Sequence, residues 1–128
     1  MLAARSRYML AVLRIMTALQ FMEHGSQKLF GFPTPTHGKA ELLSLAGAAG
    51  CLEFFVGLLV LVGFQTRIAA FLLSGEMAIG YWMEHASKSF FPALNGGDAA
   101  VLFCFVFLYF VFAGPGAWSL DGRRGTGA

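Results

Sequence analysis

Charge is what this chain has least of. Asp, Glu, Lys and Arg make up 12% of its 128 residues, about half the share in an average soluble domain, which argues against a water-soluble globule. Cysteine is nearly absent as well: Cys51 and Cys104 are too few for a disulfide scaffold. Neither sign of charge dominates, with nine basic and seven acidic residues, so there is no electrostatic footprint for nucleic acid. No His-x3-His or Cys-x2-Cys spacing occurs, and no metal site is expected. What is abundant is apolar. Hydrophobic residues reach 57% and mean hydropathy is +0.66, which excludes intrinsic disorder and leaves an integral membrane protein of one structural unit over residues 1–128.

Four apolar runs carry the organisation: about 8–29, 46–64, 68–84 and 98–114. A bilayer core of about 30 Å needs roughly 20 helical residues, and the second run fits directly. The expectation is an all-α bundle of four membrane-spanning helices, up-down and antiparallel. Gln65-Thr66-Arg67 forms the tightest turn, and Asn95-Gly96-Gly97 gives a turn signal before the fourth run. Arg5, Arg7, Arg67, Arg123 and Arg124 fall on one side of these spans, with Lys28, Lys39 and Lys88 on the other. Basic residues favour the inner face, so both termini are expected in the cytoplasm, with Tyr8 and Trp118 at the inner interface. A cleaved signal over residues 1–25 is the competing reading; Arg14 interrupts its apolar core and no A-x-A site follows, so the segment reads as a retained first helix.

The informative residues are the ionisable ones inside apolar runs, where each costs roughly 2.5–3.5 kcal/mol unless it faces protein. On the first helix, steps of 100° gather Arg14, Thr17, Phe21, His24 and Lys28 within a sector about 80° wide. On the second, Glu53 shares a face with Ala46, Ala49, Gly50 and Gly57, a small-residue surface suited to a neighbouring helix. Glu76 on the third has mixed neighbours, and its inward orientation rests on the cost of exposing a carboxylate to lipid. Counting depth at the helical rise pairs Arg14 with Glu76, either as an ion pair that only fixes which helices touch or as part of a site. A second polar group gathers at the opposite end: His24 and Lys28, Glu84 and His85, Asp98 beside Asn95, and His37 on the long loop. Histidine there suits proton transfer; the plainer alternative is a set of solvated and capping groups, Asp98 especially. Cys51 and Cys104 come out at similar depths, but Cys51 points away from the Glu53 face, so apolar filling outweighs a redox pair.

Leu13-Arg14, then His24-Gly25-x-x-Lys28-Leu29-Phe30-Gly31, Glu53 in a glycine-rich helix, Gly63-Phe64-x-Thr66-Arg67-x-Ala69-Ala70, Asn95-Gly96-Gly97-Asp98 and Gly114-Pro115-Gly116-x-Trp118-Ser119-Leu120-Asp121 follow in order along nearly the whole chain. This pattern resembles the DoxX family. Asp98 departs from it, since the family more often has Glu there. The resemblance implies a small four-helix protein of prokaryotic cytoplasmic membranes, with relatives linked to quinone-dependent sulfur oxidation or to redox defence. By position it singles out Arg14, His24, Lys28, Glu53 and Asp98.

Three functions remain open. The first is a redox-associated subunit whose polar cleft binds a quinone or another small polar ligand; Glu53 or His24 would handle protons, and Arg14 and Lys28 would stabilise anionic forms. No flavin, haem or iron–sulfur motif is present, so no covalently bound cofactor is expected and electrons would come from a soluble or membrane partner. The second is a non-enzymatic scaffold or assembly factor. The third is a small transporter, which four helices without repeats would build only as a homo-oligomer.

Overall fold

The computed structural model describes residues 1–33 and 43–124. His37 and Lys39 lie outside them. Among the described residues every regular element is helical. Helix α1 spans Ser6–Phe30, α2 spans Leu45–Val62, α3 spans Thr66–Glu84 and α5 spans Asp98–Ala113. Two short helices punctuate these: α4, Pro92–Asn95, and α6, Leu120–Arg123. Of the described helices, α2 alone is both long and apolar enough to cross a membrane by that measure; α5 is apolar but shorter.

The helix ends follow from local chemistry. Ser44 caps α2 by accepting the Gly47 N–H at 3.0 Å. Gly31 and Gly63 end α1 and α2 in the left-handed conformation, with φ of 71° at each. Pro92 opens α4, where its missing N–H costs nothing. Arg67 closes α5 from outside, donating to the last-turn carbonyls of Val111 and Phe112 at 2.8 and 2.7 Å.

One irregularity matters for function. Within α2, residues Leu52–Val56 widen into a π-helical turn, and Glu53 sits in it. Such turns insert an extra residue into the helix and recur at functional sites. The turn packs against Gly25 of α1 so closely that a Cβ there would lie 2.7 Å from the Phe54 backbone nitrogen.

The core joins α1, α2, α3 and α5 through Phe21, Val60, Ala69, Ala70, Leu73, Phe107 and Phe110. Alanines on α3 let α5 come close, and Ser74 donates to the Cys104 carbonyl at 2.8 Å across that contact. Phe21 meets Phe107 edge-on, with centroids 4.9 Å apart. Around this core lies a broad apolar exterior, with Ile68, Phe71, Leu102, Phe105 and Phe112 each more than 60% exposed. Large exposed apolar areas of this kind mark contact with something other than water. Both cysteines are free thiols and half-buried.

Candidate functional site

Two polar networks organise the molecule, one near each end of α1. The first surrounds Arg14, which is completely buried. Its guanidinium donates to the carbonyls of Pro115 and Ala117, and to that of Trp118 at 2.8 Å. The Leu61 carbonyl lies 3.5 Å away. Backbone at Gly114-Pro115-Gly116 is not helical, so its carbonyls have no helical partners, and a five-donor guanidinium is suited to collect them.

The expected Arg14–Glu76 ion pair is therefore not formed. Depth counting puts the two residues level, but both Nη groups of the arginine are taken up by backbone carbonyls, its Nε being left without a partner among the described residues, and the acidic residue whose charge bears on it is Asp121. Asp121 is itself tied down, accepting from the Gln65 and Thr66 N–H groups at 2.8 and 2.9 Å at the start of α3. Its own N–H donates to the Gly63 carbonyl. Burial works against its charged form, yet donation from Thr66 and Gln65 outweighs that and holds its pKa below the usual aspartate value. Ser119 caps α6 through Gly122, and Ala117 bonds back to Arg7. Together these contacts clasp the C-terminal segment onto α1 and the α2–α3 turn. Tyr8 and Trp118 pack with ring centroids 5.4 Å apart on its rim.

The second network encloses a cavity of about 330 Å³ between α1, α2, α3 and the start of α5. His24, Lys28, Glu53, Glu76, Glu84 and His85 line its polar part; Phe21, Met77 and Phe103 are among its apolar walls. Lys28 Nζ donates to both Glu53 oxygens, at 2.7 and 2.5 Å. The carboxylate is 2% exposed and the lysine side chain 36%, so the pair is reached from one side only. The π-helical turn, with glycines at 25 and 50, sets this contact: an added Cβ on Gly50 would lie 2.9 Å from Lys28 Cβ. Glu76 is the outlier. Its Oε1 is buried and has no hydrogen-bond partner. A buried acceptor left unmatched costs roughly 1–3 kcal/mol, and Glu76 is one of the residues that line the cavity.

His85 is partly committed, with Nδ1 3.0 Å from the Asn95 carbonyl. Asn95, anticipated as a turn residue, proves to be a buried hub. It donates to Tyr81 Oη and Ser89 O and accepts from the Gly97 N–H, which holds the α3–α5 connection under the cavity. Asp98 opens α5 and is exposed, and its side chain makes no capping bond; it is not among the cavity-lining residues. Of the candidate residues, His24, Lys28, Glu53, Glu76 and His85 therefore meet at one cavity, while Arg14 and Asp98 stand apart from it. Among the described residues, no group of three or more His, Cys, Asp or Glu side chains has the geometry of a metal site.

The DoxX family model matches residues 9–86, which include Arg14, Lys28, Glu53 and Glu76. An uncharacterized protein of Haemophilus influenzae is 41% identical over 121 residues, covering 91% of this chain and 90% of the relative. The chain belongs to the DoxX family. A second relative, an uncharacterized membrane protein of Mycobacterium tuberculosis, is 31% identical over 138 residues, covering 87% of this chain and 78% of its own. No solved structure matches the chain.

Proposed function

We propose that this DoxX protein is a multi-pass protein of the bacterial inner membrane. Helices α1, α2, α3 and α5 would span it in up-down order, with both termini cytoplasmic. Supporting this order, Lys28 meets Glu53 while Arg14 meets Leu61, and Arg67 meets Phe112 while Tyr81 meets Asn95; each sequence of contacts is that of antiparallel neighbours. The clustering of arginines at positions 5, 7, 67, 123 and 124 supports the inward placement of the clasp.

The cavity then binds the polar head of a small membrane-dissolved molecule, a quinone in the first instance, as one subunit of a redox assembly whose electrons come from a partner. The observation that carries this reading is the unpartnered Oε1 of Glu76, beside the Lys28–Glu53 ion pair, in a cavity of about 330 Å³. Glu76 accepts a hydroxyl or N–H from the ligand. Lys28 stabilises negative charge on the ligand, and His24 and Glu53 pass protons to and from it.

The test is binding of a short-chain quinone to protein reconstituted in bilayer discs. Glu76→Met, Glu53→Gln and His24→Ala should each weaken binding, Glu76→Met by about tenfold, the worth of one buried hydrogen bond. Binding identical to wild type in all three would overturn the reading.

A further inference from the structure

A second hollow of about 390 Å³ lies between α1 and α5, lined by Leu13, Met16, Thr17, Gln20, Leu102 and Val106 among others. It shares His24, Ala99 and Phe103 with the Glu76 cavity, so the two are separated by little more than the edge contact of His24 on Phe103, centroids 5.9 Å apart. Its floor is unusual for a surface turned toward acyl chains. The polar side chains of Thr17, Gln20 and His24 lie one turn apart along α1. None of the three makes a hydrogen bond among the described residues; the contact His24 does make is with the Phe103 ring. Polar groups left bare in hydrocarbon are costly, and a row of them leading to a carboxyl oxygen that lacks a donor is the lining expected of a path for something partly polar. The outer walls, Leu13, Met16, Leu102 and Val106, are apolar.

We propose that the ligand is an amphiphile that enters sideways from the bilayer along the α1–α5 seam. Its hydroxyl or N–H head binds at Glu76 and its apolar tail lies against Leu13, Met16, Leu102 and Val106. The proposal rests on the cavity being a ligand site and adds the route and the tail. His24, edge-on to Phe103 at the junction, is the positioning residue that the head passes.

Two photoreactive probes separate the parts, used on full-length protein in bilayer discs. One is a phenol with its diazirine on the ring; the other is 4-octylphenol with a diazirine at the chain end. The ring probe should label segments bearing Met77 or Phe103 saturably. The chain-end probe should saturably label segments bearing Met16 or Leu102, at least about tenfold above those bearing Phe71, and excess phenol should remove that labelling. Leu102→Trp, at an exposed position, should cut the chain-end signal at Met16 by a similar factor. Ring labelling of the cavity together with chain-end labelling spread evenly over the exterior would overturn the lateral route and leave the cavity reading standing. No saturable ring labelling would overturn both. Cross-linking between copies through Leu13→Cys and Leu102→Cys, with no chain-end labelling, would overturn the proposal in favour of a second copy in the seam.

Discussion

Arg14 and Lys28 occupy the same helix and, by angle, nearly the same face, yet their surroundings differ in kind. Arg14 is fully buried, and backbone carbonyls from the C-terminal segment take its Nη donors. Lys28 is half-buried, holds one carboxylate and looks into a cavity where a second carboxyl oxygen has no partner. Each network keeps an unmatched polar atom, Arg14 Nε in the first and Glu76 Oε1 in the second, but a charge packed away from the cavity can only hold structure together, while one that lines it can still act on something that arrives. The difference between a closed and an open network, more than the presence of charge in an apolar helix, separates scaffold from site.

The comparison can be broken at several points. The largest effect belongs to Arg14→Met, which leaves the Pro115, Ala117 and Trp118 carbonyls without their donor. Removing one partner of a buried charged network costs about 3–5 kcal/mol, so the variant should lose its thermal transition or fail to elute as a single species in detergent. Arg14→Lys should rescue little, because an ammonium cannot reproduce the planar fork. Gly25→Ala comes next. Its methyl would press on the Phe54 backbone, costing about 1–3 kcal/mol as overpacking does, and it should weaken short-chain quinone binding by displacing Lys28 from Glu53.

Asp121→Ala should cost about 0.5–2 kcal/mol, the usual worth of a helix cap, measured as a lower Tm at neutral pH. Because the folded-state pKa of Asp121 is depressed, its contribution is complete above the ordinary aspartate pKa of about 4 and falls away as pH drops through the lowered value. The gap in Tm between wild type and Asp121→Ala should therefore close on acidification. His24→Ala is the smallest in stability, within about 0.5 kcal/mol for an exposed position, and should be visible mainly in binding.

The helical nature of the chain is legible in its apolar runs, and the sharing of one helix face by His24 and Lys28 in their spacing; the sequence puts Glu76 with Arg14 instead, and its place beside Lys28 and Glu53 shows only in the cavity. Other features left weaker signals. A π-helical turn has no compositional mark, so Leu52–Val56 read as ordinary helix, although it sets where Glu53 points. Arg14 was matched to Glu76 by the heights of their backbones. That reasoning ignores the reach of an arginine side chain and the carbonyls released at the Gly114-Pro115-Gly116 break, which took the donors instead. Asn95 carried the signal of a turn residue, and its burial became visible only once Tyr81 and Ser89 were brought to it. Ser119 and Asp121 sit within a recognisable motif; Ser119 caps α6 locally through Gly122, but the work of Asp121 at the start of α3 depends on contacts more than fifty residues apart in sequence.

The most direct measurement pairs thermal stability with short-chain quinone binding for Glu76→Met in bilayer discs. An open network predicts a Tm within about 2 °C of wild type, as for changes worth less than about 0.5 kcal/mol, together with binding weakened about tenfold. A large fall in Tm with binding intact would show that Glu76 belongs to the scaffold, and would contradict the division between the two ends of α1.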